Sequence, residues 1–121
     1  LTEETAGMCD ARFFAAMRPG AIFVNTTRGG VVRQDDLVAA LRAGTIAGAA
    51  LDVMTPEQLA PTDPLLAAPN LILTPHRGSA TIETRMDMTD LAVDSLVRML
   101  AGEVPPNVLN PEAAGRERSA R

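Results

Sequence analysis

Three short stretches of this chain are apolar at nearly every position instead of alternating with polar residues: 21–25 (Ala-Ile-Phe-Val-Asn), 46–53 (Ile-Ala-Gly-Ala-Ala-Leu-Asp-Val) and 71–74 (Leu-Ile-Leu-Thr). Runs of this length and type are expected of strands buried on both faces, as in a parallel sheet. A helix is expected between the first two, over 35–43. Asp35 and Asp36 open it, Leu37 and Leu41 share a face, Arg42 lies in the last turn and Gly44 stops it. Parallel strands need such crossovers, so the chain reads as an α/β layer fold. A Pro-rich loop, 55–69, joins the second and third runs, with one helical turn expected at Pro64-Leu65-Leu66.

Flanking segments extend this frame. Thr2 with Glu3 and Glu4 reads as a helix N-cap followed by first-turn acids, and Asp10 as the cap of a second segment, 11–17, burying Phe13, Phe14 and Met17. Pro19-Gly20 is a turn. The longest helix is expected over 81–101, with Ile82, Met86, Val93, Leu96, Val97 and Leu100 as a stripe widened by Met88, Leu91 and Met99. A helix apolar on more than one side packs between two bodies. Residues 111–121, rich in charge and small side chains, read as a disordered tail.

Composition narrows the function. The 121 residues are 46% hydrophobic but only 2% aromatic, so the core is aliphatic. A net charge of -4, no Lys and scattered Arg argue against nucleic acid as a partner. No apolar run reaches the roughly 20 residues that cross a bilayer. Cys9 is the one cysteine, fits a reducing, cytoplasmic setting, and reads as a small buried hydrophobe; the six Met read as core filler. The chain starts at Leu1, inside an apparent cap, and is expected to be a piece of a longer protein.

Each strand-like run ends in a loop carrying an ionisable group: Asn25-Thr26-Thr27-Arg28-Gly29, Asp52-Val53-Met54-Thr55-Pro56-Glu57 and Thr74-Pro75-His76-Arg77-Gly78-Ser79. Ligands of open α/β sheets bind at strand carboxyl ends. Arg28, before two glycines, suits bidentate capture of a carboxylate. His76 supplies a titratable proton just before a helix N-terminus, where a charged imidazolium needs a carboxylate partner, and Glu57 is the candidate. Their pairing favours the protonated ring, ready to donate. Asp52 follows Gly48, Ala49 and Ala50, whose small side chains leave room for a flat ring. Singly these are ordinary turn residues; as a spaced set they fit reduction of a keto acid.

The motifs, together with Phe13-Phe14-x-x-Met17, Val31-Val32, Leu37-x-x-Ala40-Leu41, Ala47-Gly48-Ala49-Ala50-Leu51-Asp52-Val53, Asp63-Pro64-Leu65-Leu66 and Thr84-Arg85, resemble the C-terminal half of the D-isomer-specific 2-hydroxyacid dehydrogenases. The likeness runs from Leu1 to about Asn110. Gln34-Asp35-Asp36-Leu37 and Gly78-Ser79-Ala80-Thr81-x-x-Thr84-Arg85 look closest to glyoxylate/hydroxypyruvate reductases. The resemblance implies the second half of a Rossmann-type sheet over 1–80, a helix returning to a substrate domain over 81–103, and an extended segment and tail over 104–121.

It also implies roles. Arg28, Glu57 and His76 are the catalytic set, with Arg28 on the substrate carboxylate, His76 as proton donor and Glu57 as its hydrogen-bond partner. Thr26, Asp52 and Gly78 contact the nicotinamide of NADPH or NADH. Arg28, His76, Arg77, Gly78 and Ser79 line the substrate site, no metal is implied, and the parent is a homodimer. Three features depart from the family pattern. Arg77 replaces an apolar residue and opposes protonation of His76, Gln58 replaces a frequent Pro, and no Gly-x-Gly-x-x-Gly phosphate turn is present. Phosphoglycerate dehydrogenases, and corepressors of the C-terminal-binding-protein type that sense NAD(H) without catalysis, share these motifs and stay open as alternatives.

Overall fold

The computed structural model describes residues 1–111 and forms two compact units, Leu1–Gly78 and a second beginning at Ser79. Apart from Pro111, the expected tail lies outside the described residues.

The first unit is built on a three-stranded parallel sheet, β1 (Ile22–Asn25), β2 (Gly48–Leu51) and β3 (Leu71–Leu73), in the order β1-β2-β3. Phe23 pairs with Ala49 and Asn25 with Leu51, while Ala49 pairs with Leu71 and Leu51 with Leu73, so these six side chains share one face. Helix α1 (Ala11–Ala15) and helix α2 (Gln34–Arg42) supply the residues packed with that face: Phe14, Leu37, Val38 and Leu41 are buried against Phe23, Ile46, Leu51 and Leu65. The chain's three phenylalanines form an edge-to-face cluster, with centroids 5.3 to 5.9 Å apart. Phe14 is buried, whereas Phe13 lies at the rim and Met17 is half-buried. α1 is also shorter than the expected 11–17 segment.

Local chemistry sets the boundaries. Asp10 caps α1 by accepting from the Arg12 and Phe13 amides, each at 3.0 Å. Gly44 ends α2 at φ 67°, a left-handed position that glycine takes without steric cost. Asp63 accepts from the Leu65 amide at 2.9 Å and starts the expected turn, a short 3-10 helix at Pro64–Ala67 that buries Leu65.

Two expectations need correcting. Thr2 does not start a helix. Residues 2–7 form turns, and the Gly7 and Cys9 amides donate to the Gly30 and Val31 carbonyls, at 2.9 and 3.0 Å, so backbone pairing with residues 30–33 takes over. Cys9, paired with Val32, is buried as expected, and desolvation followed by the Asp10 charge pushes its thiol pKa up. The outer strands β1 and β3, in turn, leave one face exposed, while the central β2 is covered at Gly48 and half-covered at Ala50. Ile22, Val24 and Ile72 are exposed by 66%, 61% and 66%, because period-two alternation points them to the face opposite Phe23.

The second unit holds helix α3 (Ile82–Leu100). Thr81 caps it, its side chain accepting from the Thr84 amide at 3.2 Å, and Gly102 follows its end at φ 80°. Its apolar residues, among them Met86, Leu91, Leu96 and Leu100, are exposed. Among the described residues no helix is long and apolar enough to cross a membrane.

Candidate active site

The sheet brings three of the predicted residues to one place. Asp52 directly follows β2, Glu57 sits five residues on, and His76 lies three residues past β3. Asp52, Glu57 and His76 line a cleft of about 210 Å³ with Val53, Met54, Gln58 and Pro75. Nδ1 of His76 is 2.8 Å from Oε1 of Glu57. An ionised carboxylate only accepts, so Nδ1 carries the hydrogen and Nε2 is the ring nitrogen left for a ligand.

His76 has φ 51°, an uncommon region for a residue with a side chain. Such a conformation costs on the order of 1–3 kcal/mol. The pair it makes is exposed, at 44% for the His76 side chain and 67% for that of Glu57. Exposed ion pairs contribute about 0–1 kcal/mol. Stability therefore does not explain the His76–Glu57 geometry, and other contacts must hold the backbone.

Asp52 is 8% exposed, and both its carboxylate oxygens accept from the 74–78 turn. Its Oδ1 accepts from the Thr74 hydroxyl and, at 2.8 Å, from the Arg77 amide; its Oδ2 accepts from the Gly78 amide at 2.8 Å. The Thr74 hydroxyl above all, then the Arg77 and Gly78 amides and the nearby His76, hold its carboxyl below the ordinary carboxylate range against the effect of burial. Because the folded-state pKa is depressed, the stability this gives is complete above the unfolded value of about 3.9 and is lost as pH falls through the folded value. The Arg77 and Gly78 amide resonances are thus expected to titrate together with a midpoint below about 3.9, and Thr74→Val to raise that midpoint. Independent titrations, or a shared midpoint at or above the unfolded value, would contradict this assignment.

Arg28 is placed differently from the expectation of one shared cleft. It is exposed, does not line the cleft with Glu57 and His76, and donates through Nη1 to the Thr27 carbonyl at 2.7 Å. A long, solvent-facing guanidinium takes the nearest acceptor, here on its own loop. Thr26 is exposed beside it, Arg77 is exposed, Gly78 belongs to the Asp52 turn, and Ser79 opens the second unit.

Sequence reasoning missed two supporting side chains. Asn25 is 4% exposed; its Oδ1 accepts from the Thr27 amide and hydroxyl, and its Nδ2 donates to the Arg28 carbonyl at 3.0 Å. Gln34 accepts from the Thr55 amide at 2.7 Å, holding the loop that leads to Glu57. A polar residue ending an apolar run, and one at a helix start, were the only signals available.

Residues 1–78 match the family model described as D-isomer specific 2-hydroxyacid dehydrogenase, NAD binding domain. This chain belongs to the D-isomer-specific 2-hydroxyacid dehydrogenase family. It is 50% identical over 109 residues to the glyoxylate reductase/hydroxypyruvate reductase of Mus musculus, covering 90% of this chain and 33% of that protein. With glyoxylate/hydroxypyruvate reductase B of Citrobacter koseri the identity is 49% over 115 residues, 95% of this chain and 36% of the relative. The crystal structure of an NADPH-dependent glyoxylate/hydroxypyruvate reductase from Sinorhizobium meliloti, in complex with NADP and malonate, aligns with TM-score 0.82 and 40% identity over 91% of this chain and 34% of that one. The chain thus spans about a third of the length of these relatives. Its sheet is Rossmann-like, with parallel strands and flanking helices.

The residues present fit one end of a dinucleotide. A carboxylate offers about four acceptor positions. The turn fills three on Asp52, leaving one on Oδ2 for an amide donor. For the pyrophosphate end the sequence holds no Gly-x-Gly-x-x-Gly turn.

Proposed function

We propose that this chain carries the catalytic residues of an NAD(P)H-dependent reductase that converts glyoxylate and hydroxypyruvate to glycolate and D-glycerate in the cytoplasm. The observation that carries the reading is the His76–Glu57 pair at 2.8 Å, held at the carboxyl ends of two parallel strands. Reductases of these keto acids at 47–50% identity support the choice of substrates over the phosphoglycerate and corepressor alternatives.

In this reading Glu57 holds the Nδ1 hydrogen of His76, and the imidazolium donates its Nε2 proton to the substrate carbonyl oxygen. Arg28 exchanges its bond to the Thr27 carbonyl for the substrate carboxylate. Arg77, Gly78 and Ser79 flank the substrate, while Asp52 and the backbone of Thr26 hold the nicotinamide amide and Gly78 lies against the nicotinamide ring. The bound nicotinamide supplies the hydride. The apolar face of α3 meets a substrate domain, and the whole protein is a homodimer.

The test is a chimera in which this chain replaces the matching 115 residues of the Citrobacter koseri reductase. It is expected to reduce both keto acids with NADPH or NADH. The 121-residue chain alone is expected to give no turnover and only weak nucleotide binding by calorimetry, because helix-end phosphate binding is not provided. A folded chimera that binds cofactor but reduces neither acid would overturn the reading.

A further inference from the structure

We propose that Asp52 is a positioning residue for His76: its carboxylate fixes the 74–78 turn in the backbone conformation that turns Nδ1 toward Glu57. What the imidazole then does rests on the reductase reading; how it is held does not.

Three consecutive amides converge on this one residue. His76 donates to the Asp52 carbonyl at 2.9 Å, Arg77 to Oδ1 at 2.8 Å and Gly78 to Oδ2 at 2.8 Å, and the Thr74 hydroxyl donates to Oδ1 as well. Successive N–H groups point to a common centre when a residue among them is left-handed, and such a concavity takes an anion. His76, at φ 51°, is that residue; its own amide is shared between the Asp52 and Thr74 carbonyls, at 2.9 and 3.0 Å, and the Arg77 and Gly78 amides take the Asp52 carboxylate as the anion. Asp52 is itself fixed, since its amide donates to the Asn25 carbonyl at 2.9 Å. The fit is tight: a Cβ on Gly78 would lie 3.2 Å from Oδ2. A neutral amide cannot replace the carboxylate, because in either orientation its NH₂ would face an N–H donor, that of Arg77 or that of Gly78. Without the anion the amides lose the reason to converge, His76 relaxes to negative φ, and the ring turns away from Glu57. The acceptor position left open on Oδ2 makes this role compatible with a contact to a nicotinamide amide.

His76 is the only histidine, so one imidazole reports the outcome in the 121-residue chain. Long-range ¹H–¹⁵N spectra at about pH 9, where an imidazole is neutral, are expected to show the hydrogen on Nδ1. In Asp52→Asn the ring should revert to the Nε2-protonated form that free imidazoles favour, and the Arg77 and Gly78 amide resonances should lose their downfield shifts. Glu57→Ala should change the tautomer but leave those amides in place. Thr74→Val, which removes a single donor, should move both signals part of the way, with Thr74→Ser restoring them. It decides the matter if Asp52→Asn does not fold. A wild-type Nδ1 tautomer that survives Asp52→Asn, or Thr74→Val where the former is unfolded, would overturn the proposal. None of these spectra depends on turnover, so an inactive chimera would remove the reductase reading and leave this one standing.

Discussion

Gly29→Ala is expected to destabilise the first unit by more than the roughly 1–3 kcal/mol typical of overpacking, and to separate Glu57 from His76. A methyl group at Gly29 would lie 2.2 Å from the carbonyl carbon and oxygen of Met54 and 2.5 Å from Oγ1 of Thr55. Most of that obstruction is backbone, which cannot rotate aside as a flexible side chain can. The Met54–Thr55 segment is also pinned from its other side by Gln34, so it has little room to retreat. Glu57 follows two residues later, and any displacement of the loop is passed to its carboxylate. Gly20→Ala is the control, since a Cβ there meets nothing within 4 Å. It should stay within about 0.5 kcal/mol of the parent. Chemical denaturation of both variants, read beside the imidazole tautomer of His76, checks the claim; equal midpoints for the two would refute it.

The contact at Gly29 also shows where sequence reading ran out. The three strands were legible as uninterrupted apolar runs, although Ile22, Val24 and Ile72 of those runs are exposed, and each loop motif sits where a strand end puts it. Asp10 and Gly44 were legible as helix punctuation, since a cap's partners lie within a few residues in sequence. Thr2 carried the same local signal and misled. Its segment is decided by pairing with residues 30–33, a contact that local chemistry cannot report. The supports of the site were hidden for a related reason. Asn25, Gln34 and the Asp52 carboxylate all bind backbone groups of loops, whose conformation exists only once the fold has formed. The left-handed backbone of His76 was not legible either, since positive φ is uncommon for any residue with a side chain, histidine included. Arg28 was found as a residue, but the path of a long exposed side chain is not written in spacing.

In the chimera, His76→Gln is expected to lower turnover by about 10²–10⁴-fold, the usual range for losing a general acid. Glutamine keeps a polar side chain of similar reach but has no titratable proton to give the carbonyl oxygen. Proton donation counts in the transition state, so the loss should appear in kcat and equally in kcat/KM. Arg28→Ala should behave otherwise. A guanidinium on the substrate carboxylate acts on bound keto acid and transition state alike, so its removal should chiefly raise KM. Arg28 rests on the Thr27 carbonyl and makes no bond to Glu57 or His76 among the described residues, which lets the two effects be separated. Glu57→Gln provides a third reading. Its amide oxygen can still accept from Nδ1 and hold the ring in place, so activity should fall less than in His76→Gln. Steady-state kinetics on glyoxylate and hydroxypyruvate across pH would separate the three. Near-normal turnover of His76→Gln on both acids would place the proton donor elsewhere.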